Sequence, residues 1–355
     1  MHADRYFVLG VMSGTSLDGV DIVYVKLFKT EGIWSYSLVK AETFSYTDEW
    51  VQELTDAIHF SEEDLSSLNE RYTFLLADYI RKFIDKYAIQ KLDAVCSHGH
   101  TILHQPDKGF TLQIGNLPVI SEILNQTVVC DFRVQDVELK GQGAPLVPIG
   151  DKVLFSDYDY CLNLGGFSNI SFDDNGKRIA YDISPVNTVL NFYAEKLGFP
   201  YDDRGNLAQK GTLNKELLKE LNALEFYEQS YPKSLGKEFV NQFVFPLLES
   251  YDINAEDVLK TFTEHIAFQI ADNVKENSNV LVTGGGAYNS FLIRNLQKNK
   301  PDVKWVVPED SLVQFKEALL FALLGVLRLR NEVNVLASVT GALHDHSSGK
   351  IWLPK

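Results

Sequence analysis

The sequence predicts an α/β protein of two lobes, each a mixed β-sheet flanked by helices, with a central cleft. Three observations predict it. At 355 residues the chain is long for one core and suits two domains. Its two halves run through one order of elements, each opening with a glycine-bearing hairpin. A third glycine element, Gly284-Gly-Gly286, follows an apolar strand and precedes a helix.

In the first half, β-prone runs at 6–11 and 20–27 flank a loop carrying Ser13, Gly14, Thr15, Ser16, Asp18, Gly19 and Asp21. A hairpin turn needs only about two to five residues. This loop has more, and they gather backbone N–H groups and hydroxyls where glycine lets an anion approach. It reads as a phosphate cradle. No Gly-Lys-Ser/Thr and no helix follows, so it is not a P-loop. A third strand is expected at 34–43. Ser61-Glu-Glu-Asp64 reads as a capping box. Leu65, Leu68, Tyr72, Leu75, Leu76, Tyr79 and Phe83 then recur at helical spacing and read as core. Short strands are expected at 92–97, 110–114 and 127–132.

The second half opens with strand, glycine turn and strand over 160–172, holding Gly165 and Gly166. Asp173-Asp-Asn-Gly176 is a hairpin signal leading to a strand at 178–183. A helix is expected to begin near Pro185, a favourable first-turn residue. Helices at 254–276, 288–299 and 315–330 and a strand at 280–283 complete the chain. The expected lobes are 1–135 with 318–355, and 136–317. A nucleotide would be clamped in the cleft.

Composition narrows the partners. With 45% hydrophobic and 23% charged residues, the chain reads as soluble and globular. No apolar run approaches the roughly 20 residues of a membrane span. The N-terminus runs directly into a strand, so no signal peptide is read. A net charge of −15 argues against nucleic acid, yet permits a nucleotide, because backbone dipoles bind phosphate locally. Cys96, Cys130 and Cys161 lie in apolar contexts and read as free thiols of a reducing compartment, so cytoplasm is expected. Homodimerisation is left open.

The three glycine elements, in their order, resemble those of the sugar-kinase, Hsp70 and actin superfamily of ATPases. Further motifs narrow the likeness: Met12-Ser-Gly-Thr-Ser-Leu-Asp-Gly-Val-Asp21, Ser97-His-Gly-His-Thr101, Thr111-Leu-Gln-Ile-Gly115, Asp131-Phe-Arg133, Gly141-Gln-Gly-Ala-Pro-Leu-Val-Pro148, Asn163-Leu-Gly-Gly166, Pro232-Lys-Ser234 and Val339-Thr-Gly341. Together they resemble the anhydro-N-acetylmuramic acid kinases over essentially the whole chain. The resemblance implies an actin-like ATPase fold. It implies that ATP phosphorylates the 6-position of 1,6-anhydro-N-acetylmuramic acid while water opens the anhydro bridge. The product would be N-acetylmuramic acid 6-phosphate, formed in bacterial cell-wall recycling. Gly14 to Asp21 carries over as the phosphate loop, Asp182 as the base activating water, and Thr101 and Glu317 as sugar contacts. Where the family usually reads Asp-Thr-Gly-Pro-Gly-Asn, this chain has Ile183, Ser184 and Val186 at the second, third and fifth positions. His100 stands for a usual glutamine, and a sugar-holding arginine aligns with Ile123.

The residues allow a chemical reading beside that likeness. ATP is expected on Gly14, Thr15, Ser16, Leu17, Asp18, Gly19, Val20 and Asp21, and on Gly165, Gly166, Gly284, Gly285 and Gly286. Asp182 ends an apolar strand before a helix. An N-cap is the alternative to a base facing the cleft. Asp18 and Asp21 would hold Mg²⁺ through water, or only shape the turn. His98, His100 and His104 lack the cysteine or carboxylate partners of a zinc site, and His98 and His100 are read as lining the sugar site or hydrogen-bonding the loop. Asp131 and Arg133 are read as cleft-lining and paired with each other. Glu317, a carboxylate on an apolar helix, is read as facing the sugar. His344 and His346 are read as solvated. The rival functions are a related kinase for a different sugar, and a nucleotide-binding regulatory homologue without turnover.

Overall fold

The computed structural model describes residues 4–14 and 16–355; Thr15, expected in the phosphate loop, lies outside the described residues. The chain forms two compact units, Met1–Leu154 with Phe315–Lys355, and Phe155–Gln314.

In the first unit β1 (Asp4–Ser13), β2 (Gly19–Thr30) and β3 (Ile33–Ser45) form an antiparallel meander. β4 (Ala94–Gln105) pairs in parallel with β1, β5 (Phe110–Ile114) folds back on β4, and β6 (Val128–Cys130) lies parallel to β4. The strand Lys350–Trp352 closes the edge against β6. The inner halves of β1 and β2 are buried on both faces, which explains their nearly unbroken apolar run. The helix Glu62–Lys86 starts at Ser61, whose Oγ accepts the Asp64 N–H at 3.2 Å. Leu68, Tyr72, Leu76, Tyr79 and Phe83 of its apolar stripe are buried, as the spacing predicts.

In the second unit β7 (Tyr160–Leu164), β8 (Phe167–Asp174) and β9 (Lys177–Pro185) repeat the antiparallel meander. β10 (Asn279–Thr283) then pairs in parallel with β7, and β11 (Lys304–Val306) with β10. The order β3-β2-β1-β4-β6 of the first sheet thus recurs as β9-β8-β7-β10-β11. Two such sheets, each with helices packed on them, are the actin-like ATPase fold that the sequence predicts. No helix among the described residues is long and apolar enough to cross a membrane.

The helix Asp310–Leu329 packs unusually close to the first sheet. A Cβ on Gly10 would stand 1.9 Å from the Ala318 carbonyl oxygen, and one on Gly325 would stand 2.2 Å from Cys96 Sγ. On Gly150 it would meet Leu320 Cδ2 at 2.4 Å. Small residues at these points let helix and strand backbones approach.

Several expected boundaries move. The units part at Leu154/Phe155 and Gln314/Phe315, not at 135/136 and 317/318. Residues 136–154 belong with the first unit because Asp136 bonds Thr340 and Asp151 pairs with Lys316 at 2.7 Å. Pro185 is the last residue of β9, paired with Phe167, and the helix Asn187–Glu195 follows. Asp173-Asp-Asn-Gly176 does form the expected turn, with Asn175 and Gly176 at φ 49° and 80°.

Gly325→Ala is expected to lower stability by about 1–3 kcal/mol, the usual cost of overpacking. The check is a lower urea midpoint. Adding Cys96→Ala should recover part of the loss, because Sγ is the nearest obstacle; strictly additive losses would mean that the helix shifts instead.

Candidate active site

Two hydrogen bonds join described residues of the loop between β1 and β2. Ser16 Oγ donates to Asp18 Oδ1 at 2.7 Å, and Leu17 N–H reaches the Gly14 carbonyl at 3.4 Å. Leu17 sits at φ 59°, a region sparsely used by non-glycine residues. Ser13, where β1 ends, has its Oγ 2.8 Å from His100 Nδ1 and 2.6 Å from the Tyr46 hydroxyl. Burial lowers His100 to about 4, so the ring bonding Ser13 is neutral. Asp21 Oδ1 accepts from Thr43 Oγ1 at 2.6 Å. Burial, with Asp18 and Glu317 nearby, raises the Asp21 carboxyl to about 6 against the Thr43 bond.

Six of the seven glycines expected at the nucleotide fall into two groups. Gly19, Gly166, Gly284 and Gly286 have reasons inside the fold. A Cβ there would meet the Phe44 oxygen at 2.4 Å, Thr188 Oγ1 at 2.9 Å, Asn163 Oδ1 at 2.7 Å and Leu164 Cβ at 2.7 Å, respectively. The carbonyls of Gly165 and Gly166 accept N–H groups from Val186, Asn187 and Thr188, so this turn caps the helix that follows. At Gly14 and Gly285 a Cβ would meet nothing closer than 3.5 Å and 3.7 Å. The fold leaves space beside these two residues, as a close-lying ligand requires.

Asp182 lies on β9 at a bulge: Asn169 pairs with Asp182 and Ser168 with Ser184, leaving Ile183 unopposed. Its Oδ2 accepts the Leu235 N–H at 2.8 Å, and its own N–H donates to the Lys233 carbonyl at 3.2 Å. The Pro232-Lys-Ser234 motif thereby holds the carboxylate. Oδ1 accepts no hydrogen bond among the described residues. Burial raises the carboxyl above its ordinary range, and the Leu235 N–H opposes the rise. Asp182 is therefore no N-cap: the helix Asn187–Glu195 begins after Val186, with no side-chain cap. Ile183, Ser184 and Val186 are each 0% exposed, and Ile183 and Val186 belong to the apolar core of the second unit. These replacements face inward.

In the first unit, β4 presents Thr101, whose Oγ1 accepts from Gln113 Nε2 at 3.3 Å. Glu317 is exposed, and the protein packed around its carboxyl is the main influence raising it. Arg133 and Lys316 pull it back down. Arg133 is the residue the sequence reading undervalued, although its motif was in view. It does not pair with Asp131. Its Nε donates to His98 Nε2 at 2.8 Å and its Nη1 to the Gly143 carbonyl at 2.7 Å. Asp131 instead holds Lys350 Nζ at 2.6 Å, from the edge strand. His98, expected to line the sugar site, has both nitrogens occupied. Nε2 accepts from Arg133, so Nδ1 carries the proton and donates to the Gly99 carbonyl at 2.9 Å. Burial and the guanidinium hold it well below the ordinary histidine range. Burial also lowers Arg133 to about 10, while Glu317 and Asp136 resist that fall. Ile123, where an arginine was expected, packs on the core of this unit. His346 is buried with Nε2 3.6 Å from Asp136, whereas His344 is exposed.

The family model described as anhydro-N-acetylmuramic acid kinase matches residues 6–354. The chain is 33% identical to the Haemophilus influenzae anhydro-N-acetylmuramic acid kinase over 377 residues, covering 98% of this chain and 97% of that one. It is 31% identical to the Sulfurimonas denitrificans anhydro-N-acetylmuramic acid kinase over 369 residues, covering 98% and 99%. Among solved structures it is similar to component A of Acidaminococcus fermentans (R)-2-hydroxyglutaryl-CoA dehydratase, with 14% identity, coverage of 90% and 97%, and a TM-score of 0.46. A family match over nearly every residue, with relatives similar from end to end, shows that the chain belongs to the anhydro-N-acetylmuramic acid kinase family, phosphotransferases with an alcohol group as acceptor.

Proposed function

We propose that this chain uses ATP and Mg²⁺ to phosphorylate the 6-oxygen of 1,6-anhydro-N-acetylmuramic acid while water opens the anhydro ring. N-Acetylmuramic acid 6-phosphate and ADP are the products, and the step belongs to cell-wall recycling. The observation that carries this reading is Asp182: one carboxylate oxygen is fixed by a backbone N–H, and the other is left to take a proton. A hydroxyl kinase needs a base at the attacking hydroxyl. Here the 6-oxygen is an ether oxygen with no proton to lose, so the proton comes from water. Asp182 takes it as water attacks the anomeric carbon. The bond from that carbon to the bridge oxygen breaks, and the freed oxygen accepts the γ-phosphoryl group of ATP. A carboxyl raised by burial is a better base than an ordinary one.

The loop through Gly14, Ser16 and Asp18 would take the phosphates, and the Gly284 to Gly286 turn the adenosine end. Asp18 and Asp21 would repel a triphosphate without a cation. Mg²⁺ bound to phosphate oxygens and water would neutralise that repulsion and the charge developing in transfer. Asp18 and Asp21 would hold such an ion through its waters, since Mg²⁺ keeps most of its hydration. Arg133, Glu317 and Thr101 would grip the sugar. Glu317 would accept from its hydroxyls, and Arg133 would face its carboxylate or amide oxygens. Three buried free thiols suit a reducing cytoplasm, where ATP is at hand. The inward packing of Ile183, Ser184 and Val186 favours an active enzyme over a nucleotide-switched homologue without turnover.

Four outcomes test the proposal. Asp182→Asn keeps shape and removes the basic site, so turnover should fall by about 10²- to 10⁴-fold with ATP affinity retained. Reaction of the unmutated protein in ¹⁸O water should place the label on the anomeric carbon, and an unlabelled phosphorylated product would exclude the ring-opening step. The base must be ionised, so kcat/KM should fall as pH drops through the raised carboxyl, above the ordinary aspartate range. Leu235→Pro removes the N–H that lowers this carboxyl, so the acid limb should move to higher pH, while Leu235→Ala should leave it in place. Gly14→Val fills space the fold leaves open. Calorimetry should show nucleotide binding largely lost at an unchanged melting temperature; retained ATP affinity would reassign the loop.

A further inference from the structure

Two motifs have no part in the chemistry above, Gly141-Gln-Gly-Ala-Pro-Leu-Val-Pro148 and Val339-Thr-Gly341. Both converge on one side chain, Asp136, which is 0% exposed. Its Oδ2 accepts the Gly143 N–H and its Oδ1 the Thr340 hydroxyl, each at 2.7 Å. Its main-chain carbonyl accepts the Gly141 N–H, and the Thr340 carbonyl accepts the Gln142 N–H, each at 2.8 Å. The turn is wrapped tightly on the carboxylate: a Cβ on Gly141 would stand 2.2 Å from Asp136 Oδ2, and Gly143 has φ +68°.

Stability alone does not account for a carboxylate here. Taking one fully out of water is costly, and an apolar residue of similar size often serves a fold as well. A carboxylate does one thing an apolar residue cannot: it accepts hydrogen bonds in set directions. These bonds bend residues 141–143 so that the Gly143 carbonyl meets Arg133 Nη1 at 2.7 Å. The other end of the guanidinium is held by His98. Arg133 is thus fixed at both ends, and one of them depends on Asp136.

We infer that Asp136 is a positioning residue for the sugar: through the Gly141–Gly143 turn and Thr340 it aims Arg133 toward the substrate beside Glu317. The inference rests on the proposed role of Arg133 in gripping the sugar. Asp136 touches neither sugar nor ATP, and its effect travels through one side chain.

A mutant cycle tests this, using steady-state kinetics with 1,6-anhydro-N-acetylmuramic acid and ATP. Arg133→Met should raise the sugar KM. Asp136→Asn should raise it about ten-fold, the scale of a small misplacement of a binding group, with the ATP KM unchanged. The double variant should be no worse than Arg133→Met alone. Additive losses, or an unchanged sugar KM in Asp136→Asn, overturn the inference while leaving the sugar site standing. An unchanged sugar KM in Arg133→Met overturns the sugar site and this inference with it. Should Asp136→Asn fail to fold, Thr340→Val removes one donor and keeps the carboxylate. It should raise the sugar KM by about two- to three-fold, the effect of one hydrogen bond, and do nothing in the Arg133→Met background. Thr340→Ser should restore the original value. A Thr340→Val variant with unchanged sugar KM counts against the inference.

Discussion

The candidate site of the first unit depends on how closely one helix can lie on one strand. Gly10 of β1 offers no side chain to the helix Asp310–Leu329, and the Ala318 carbonyl occupies the space a Cβ would need. Gly325 repeats the arrangement against Cys96 of β4. Ala318 follows Glu317, so the contact that seats the helix also fixes where that carboxylate stands. β1 continues from Gly10 to Ser13 and the phosphate loop. The same strand therefore sets the register of an acidic group and of an anion-binding turn. Interiors are packed like crystals, so any side chain added at this contact would move both.

Around that frame the polar groups are held by hydrogen bonds in low-dielectric surroundings. Ser13 is held by neutral His100 and by Tyr46, whose hydroxyl is in turn 2.5 Å from that of Tyr72. His98 presents a lone pair to Arg133 because its own proton is committed to the Gly99 carbonyl. The Asp182, Glu317 and Asp21 carboxyls are raised mainly by burial. Each of these bonds matters more than it would in water, because an unpaired group there has no solvent to turn to. The acidic groups stay poised in this way. Asp182 keeps one oxygen free, and Glu317 is only partly offset by Arg133 and Lys316.

The replacements Ile183, Ser184 and Val186 show why a pattern of letters underdetermines a site. Beside Asp182 in sequence, they resemble changes to a substrate pocket. The bulge in β9 and the turn into the next helix send them inward instead, where Ile183 and Val186 join the core and Ser184 bonds Ser168 and the Pro185 carbonyl. His98 and Asp131 teach the same lesson. From the sequence His98 reads as lining the sugar site and Asp131 as lining the cleft; in the structure one bonds Arg133 and the other holds Lys350 at the sheet edge.

By itself the sequence determined what is local and periodic. The β1–β2 loop, the Ser61 cap, the stripe from Leu68 to Phe83, the Asn175-Gly176 turn and the repeated order of elements all follow from turn chemistry, capping and hydrophobic spacing, which act over a few residues. The motifs also fixed the family. Tertiary structure alone decided which side chains meet across long separations. It gave Arg133 to His98 and Gly143, and Thr340 to Asp136. It also sorted Gly14 and Gly285, which leave space, from Gly19, Gly284 and Gly286, which the fold itself requires. A glycine or an arginine has the same letter whether it faces a ligand or a neighbouring backbone. The difference lies in what packing brings beside it, and the sequence does not encode that within any short window.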